Sequence, residues 1–247
     1  MLIKKQMANY YAHTAATADG ANDSNQERWQ LLSTHLRNVA NLAKAFAEPF
    51  GFAAEAEIAG LLHDLGKYSD RFQARLRNPS IHGINHWAAG ATSAAELKAW
   101  AVAFGVDGHH TGIPALNEGE AGRPLPLRSS VQKFLDAHSR MELTKCPESL
   151  AELLTRFESD GLKLPTFSPR PITDEDKFAE SIRARMLFSC LVDADFLDTE
   201  EHFGRKQSDQ RPVVPGLDPE RALKLLKDHL ASTTGRPPGS AGEAVKV

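Results

Sequence analysis

The stretch Ala59-Gly60-Leu61-Leu62-His63-Asp64-Leu65-Gly66-Lys67-Tyr68-Ser69 decides how this chain is read. An apolar helical run ends on an imidazole followed directly by a carboxylate, and a Gly-Lys pair comes next. Two hard ligands and one phosphate-binding cation thus fall within five residues, which is the start of a metal site. A His-Asp dipeptide alone is common. The reading therefore depends on whether further ligands recur at positions that a fold could gather.

They do recur. His35 lies in the series Leu32, His35, Val39, Leu42, Phe46, the inward stripe of an amphipathic helix, where an imidazole loses hydration unless it finds a partner. His86 opens the small-residue helix Asn85-His86-Trp87-Ala88-Ala89-Gly90-Ala91 and ranks above His82, from which Gly83 and a turn separate it. His109 and His110 stand in Gly108-His109-His110-Thr111-Gly112-Ile113-Pro114, where flanking glycines let adjacent rings converge on one cleft or straddle two ions. A late apolar helix, Met186 to Leu197, is interrupted by Asp193 and Asp195. A buried carboxylate needs a cation, and helical periodicity does not choose between the two. The bland alternatives are histidines bonded to backbone carbonyls, a surface His pair and a solvated Lys67.

With 247 residues and no strong shift in composition, the chain is expected to form one well-buried domain, residues 1–231, followed by a flexible linker-like tail, residues 232–247, rich in Gly, Pro and Ser. Abundant Ala and Leu with few aromatics favour helices. Helices are expected from Gln26 to Phe50, from Ala53 to Leu65 with Gly66 as a C-terminal glycine, from Ser69 to Leu76, from Asn85 onward, and from Glu96 to Val106. Others are expected from Arg128 to Ser139, from Pro147 to Ser159, through Met186 to Leu197, and from Pro219 to Leu230. Residues 111–127 read as a long irregular loop, and a Pro-rich connector through Pro171 leads to Asp174-Glu175-Asp176, acid at the start of a helix.

No apolar run approaches the ~20 residues needed to cross a bilayer and the start lacks a secretory apolar core, so a cytoplasmic protein without membrane association is expected. Cys146 and Cys190 form no CxxC pair and read as reduced. A net charge of −3 points to no general polyanion affinity, although Arg71, Arg75 and Arg77 make a local basic run. There is no P-loop or Rossmann glycine pattern, and no Ser-His-Asp order or activated Cys argues for a covalent nucleophile.

Carboxylate bridging with imidazoles on either side suits two divalent ions about 3.5–4 Å apart, the arrangement that holds the attacking and departing oxygens of phosphodiester cleavage. Asp64 is the natural bridge. One ion is expected on His35, His63, Asp64 and the late aspartate, the other on Asp64, His86, His109 and His110. Water activated by the ions is the expected nucleophile, and Lys67 the group that neutralises the phosphate. Manganese, iron, nickel or cobalt, as one or two ions, suit these ligands, and magnesium is compatible.

The ordered set resembles the HD metal-dependent phosphohydrolase superfamily. More closely, it is similar to the HD nuclease domain of the CRISPR type I interference helicase-nuclease. The stretches that carry this are Tyr11-Ala12-His13-Thr14, His63-Asp64-Leu65-Gly66-Lys67 with Phe72-Gln73, His86 before Ala89-Gly90-Ala91, Gly108 to Pro114, and Ala194-Asp195-Phe196-Leu197. The resemblance implies an all-α HD-domain helical bundle with a central dinuclear metal cleft, and it selects Asp195 over Asp193. It implies a metal-dependent endonuclease or exonuclease acting on single-stranded DNA, the strand displaced by an RNA-guided surveillance complex. A CRISPR type I helicase, separate or fused, would be its partner, since nothing here resembles ATP-binding motifs. Asn85, Trp87 and Thr111 depart from the family pattern around the second ion. The alternatives are a phosphohydrolase of nucleotides or cyclic dinucleotides, and a non-catalytic docking module for a helicase.

Overall fold

The computed structural model describes residues 9–16, 22–23, 25–110, 112–113, 148–169, 177–208, 216 and 218–234. The expected helix from Arg128 to Ser139, most of the loop 111–127, Cys146, Asp174 to Asp176 and the tail from residue 235 lie outside the described residues. The chain divides into two compact units, residues 1–208 and 209–247.

The first unit is all-α apart from short strands near its start. Its helices are α1 (Leu32–Ala47), α2 (Ala53–Leu62), α3 (Asp70–Arg77), α4 (Ala88–Glu96), α5 (Trp100–Gly108), α6 (Leu150–Ser159) and α7 (Lys177–Ser208). Strand β1 (Tyr11–His13) pairs antiparallel with β4 (Gln30–Leu31), and β2 (Ala15–Ala16) with β3 (Asn22–Asp23). These pairings explain why α1 begins at Leu32 and not at Gln26. The Asn25 side chain accepts from the Glu27 N–H and winds Gln26–Arg28 into a short 3₁₀ turn, after which residues 30–31 are held in a ladder.

Leu32, Leu36, Val39, Ala40 and Ala43 of α1 are buried against Ile58, Ala59 and Leu62 of α2 and Leu187, Leu191 and Ala194 of α7 in one core. An inward ion pair joins two of these helices: Arg183 of α7 bonds Glu55 of α2, and its guanidinium stacks 4.4 Å from the Phe52 ring centroid. Small residues set the spacing at the other end. A Cβ on Gly90 of α4 would lie 1.8 Å from the Leu62 carbonyl oxygen, so only glycine lets α4 rest on the end of α2. The expected helix from Glu96 is displaced: Glu96 ends α4, Lys98 turns with φ 57°, and α5 starts at Trp100.

Helix α2 also stops earlier than the sequence suggests. His63 is its C-cap in right-handed geometry, and Leu65–Tyr68 forms a 3₁₀ turn. Gly66 is therefore not a left-handed terminator. Its N–H donates to the His86 carbonyl at 2.9 Å, and a Cβ there would sit 2.6 Å from that oxygen, so the residue is glycine because two backbones meet. The second unit contains α8 (Pro219–Thr234), with Asp218 accepting from the Arg221 N–H at its start. Among the described residues, no helix is long and apolar enough to cross a membrane.

Candidate metal centre

Five segments meet at the end of α2. His35 comes from the inward face of α1, His63 and Asp64 from the chain just past α2, His86 from the approach to α4, His109 and His110 from the end of α5, and Asp195 from α7. Asp64 sits between two ligand sets. Its Oδ2 lies 3.3 Å from His35 Nε2 and 3.2 Å from His63 Nε2, while its Oδ1 lies 3.4 Å from His86 Nε2 and 3.9 Å from His109 Nε2. Asp195 Oδ1 closes the first set at 3.4 Å from His35 Nε2 and 3.6 Å from His63 Nε2. His110 Nε2 is 2.8 Å from His86 Nε2 and completes the second. Asp193 is exposed and belongs to neither, and His82 is likewise exposed.

The outward nitrogens show what the inward ones are for. His63 Nδ1 is tied to the Gly60 carbonyl at 2.8 Å, His109 Nδ1 to the Val106 carbonyl at 2.7 Å, and His35 Nδ1 to the Asp198 carboxylate at 2.6 Å. Each of these acceptors takes a proton from Nδ1 and leaves Nε2 facing the centre, the arrangement found around metal-bound imidazoles. Two of the inward atoms, Asp64 Oδ1 and His109 Nε2, are buried with no hydrogen-bond partner. Donors that share an ion at about 2.1 Å stand about 3.0–3.5 Å from one another, which is how the first set is spaced. The residues present therefore fit divalent cations, both as His35-His63-Asp64 and as Asp64-His86-His109-His110.

Electrostatics agree with that fit. Burial works against a charged His63, yet the facing Asp64 and Asp195 carboxylates outweigh it and hold the ring up at about 10. Burial likewise opposes ionised Asp64, but Lys67 and His63 keep its carboxyl well below the usual range. In the second set no second carboxylate compensates: burial pushes His86 down to about 3 and His109 to about 4, so both imidazoles are neutral at physiological pH. Lys67 is itself buried, its Nζ 2.6 Å from Asp64 Oδ2. The cleft is graded, since His35, His63 and Asp64 form a dry floor while Asp195 and His86 are partly open and His110 is exposed.

The sequence reading missed Asp198 and Arg156 and gave no structural role to Gln73 or Asn85. Asp198 takes hydrogen bonds from His35, from Gln30 Nε2 at 2.7 Å and from Asn38 Nδ2 at 2.7 Å. Its signal was present: Asp198 follows Asp195 by three residues and so shares its helix face. Gln73 donates to the backbone oxygens of Tyr11 and Lys67, tying β1 to the Lys67 turn. Arg156 of α6 donates to the Tyr68 carbonyl and bridges Asp70 and Glu148, which braces the same turn from outside. Asn85 accepts from the Trp87 and Ala88 N–H groups, so its amide caps the start of α4 beside His86.

The sequence model of the HD domain family matches residues 32–141, a span that takes in His35, His63, Asp64, His86, His109 and His110. Over this segment, a little under half of the chain, the protein is similar to the HD domain family. Asp195 and Asp198 lie beyond the matched span of the HD domain and join it only through the packing of α7. No curated protein matches the chain. The HD domain family consists of metal-dependent phosphohydrolases, and the matched span contains two groups of His and Asp residues that could hold a metal ion.

Proposed function

We propose that the chain is a metal-dependent phosphodiesterase that cuts single-stranded DNA, acting as the nuclease of CRISPR type I interference on the strand displaced by an RNA-guided surveillance complex and delivered by a helicase. The observation that carries the reading is the placement of Asp64, whose two oxygens address separate imidazole sets. Such a bridge suits chemistry in which two oxygens of one phosphate need stabilising at once.

His35, His63, Asp64 and Asp195 would hold one ion, and Asp64, His86, His109 and His110 the other. When bound, the ions supply Lewis acidity and an activated water. The chain's own part is to fix the ligand tautomers through Gly60, Val106 and Asp198, to exclude bulk water from the floor, and to present Lys67. With Asp64 committed to cations, the Lys67 ammonium becomes free to donate to a phosphate oxygen at the cleft. The strand would be gripped chiefly through phosphates, which makes binding salt-sensitive and sequence-tolerant.

The test is to incubate manganese-loaded protein separately with circular single-stranded DNA, duplex DNA, nucleotides and cyclic dinucleotides. Cleavage of the circular strand, lost in Asp64→Ala with the helical fold retained, is the expected result. DNA left intact while a nucleotide or cyclic dinucleotide is hydrolysed would replace the nuclease reading. Unchanged cleavage by Asp64→Ala at matched metal content would reject the bridge.

A further inference from the structure

Helix α7 carries a row of aromatic rings that the core does not use. Phe196 is 72 % exposed and Phe203 50 % exposed, although both stand on the helix that delivers Asp195. At 100° per residue the two rings lie within about 20° of one another and about 80–100° round the helix from Asp195. The core side of α7, marked by buried Leu191, Ala194 and Asp198, is turned away on the opposite flank of Asp195. Phe196 and Phe203 thus form the solvent-side rim of the cleft, two turns or about 10 Å apart.

The rim is continuous with the ligand floor. The Phe203 ring stands edge-on to His13, 5.7 Å between centroids, and His13 in turn stands edge-on to His35 at 5.0 Å. His13 Nε2, between the two, is buried with no hydrogen-bond partner. The same stripe continues toward the start of α7 through exposed Arg185 and Phe178. Asp193, exposed on the far side of the stripe, repels a polyanionic backbone and leaves bases as the part of a strand that can lie on the rings.

We propose that Phe196 and Phe203 are a stacking platform for the bases of a single strand whose phosphate enters the metal cleft beside Asp195. This rests on the nuclease reading above and names how its substrate is held. Aromatic faces accept any base, so the platform contributes affinity without sequence preference. A duplex, whose bases are stacked about 3.4 Å apart on each other, offers them nothing.

The experiment compares wild type with Phe196→Ala, Phe203→Ala and the double variant, binding a labelled thymidine oligomer and an abasic oligomer of equal length by fluorescence anisotropy in chelator. Wild type should prefer the thymidine oligomer, and each alanine should weaken its binding about tenfold while leaving the abasic oligomer unaffected. Phe203→Trp, which keeps a ring at the rim, should bind thymidine oligomer as wild type does, and circular dichroism of these exposed-site variants should be unchanged. Equal wild-type affinity for both oligomers, or a double variant that binds like wild type, would overturn the platform. So would a dimer in size-exclusion chromatography that the double variant loses, since the rings would then cover a second copy of the chain. If manganese-loaded wild type cleaves the thymidine and abasic oligomers equally well, the platform fails and the nuclease reading stands. If it cleaves no DNA at all, both fail.

Discussion

Asp198 should control how tightly the centre holds metal, although it touches no ion. Its Oδ2 accepts from His35 Nδ1 at 2.6 Å and Gln30 Nε2 at 2.7 Å, and its Oδ1 from Asn38 Nδ2 at 2.7 Å. In Asp198→Asn the amide oxygen can keep His35 and Gln30 while the amide nitrogen turns toward Asn38, which is exposed and free to bond water instead. The His35 tautomer then survives and only the charge assistance is lost. A charge-assisted bond is roughly twice as strong as a neutral one, so the loss is about 1–2 kcal/mol, or roughly tenfold in affinity. Asp198→Ala removes every acceptor. His35 Nδ1–H, fully buried, then costs about 1–3 kcal/mol unsatisfied, and the ring can settle with its proton on Nε2, toward the metal. That variant should bind manganese about a hundredfold more weakly, in the range found for partners of metal-bound histidines. Isothermal titration with manganese, alongside metal content after dialysis and a thermal melt, measures the series. Asp198→Ala binding manganese as tightly as wild type, with the fold intact, would refute the idea that this carboxylate orients His35.

Two further outcomes follow from the same geometry. The metal-free His63, held up at about 10, carries a proton that a cation must displace, so apparent affinity should climb up to about tenfold per pH unit between pH 6.5 and 9. In the metal-free fold the sign is opposite, because this raised value contributes stability below the ordinary imidazole range that disappears as pH rises through about 10; manganese titrations at several pH values, with proton release read from two buffers, check the first claim, and a flat profile contradicts it. Gly66→Ala should push the His86 backbone outward, since a Cβ would meet its carbonyl oxygen at 2.6 Å; manganese bound per chain should fall while the His35-His63 set keeps its ion, and unchanged stoichiometry would contradict this.

The candidate ligands that the fold gathers around Asp64 could be picked out because each is out of place by local rules. His35 breaks an apolar stripe, His63-Asp64 ends one, and Asp195 interrupts a helix whose neighbours are buried. Periodicity also located α1 and α7, whose buried positions recur mostly every three or four residues, whereas α2 is buried along nearly its whole length. What could not be read is set by partners distant in sequence. The start of α1 was hidden because β1, about twenty residues earlier, claims residues 30–31 for a strand pair. Gly66 looked like a helix terminator because nothing local reveals that the His86 backbone lies against it. Asp195 and Asp193 have equal local claims, and only the docking of α7 on α1 turns one toward His35 and leaves the other in water. Asp198 was overlooked because an aspartate just past the apolar run that ends at Leu197 is ordinary until His35 is found 2.6 Å away.

Charge bears on the proposal that the cleft takes a phosphodiester. The floor gathers three carboxylates, Asp64, Asp195 and Asp198, against the Lys67 ammonium and the proton on His63. Without metal that leaves about one negative charge, small enough for a buried cluster whose members are mutually bonded. Replacing the His63 proton with one divalent ion brings the cluster to neutrality, which offers an anionic substrate little attraction. A second ion, on Asp64 and the neutral His86, His109 and His110, adds two positive charges at the open side of the cleft. A phosphodiester is an anion, so on the proposed function the doubly loaded cleft would be the state that attracts it. The neutrality of the second imidazole set, imposed by burial, is what turns that side of the cleft into the anion-attracting one.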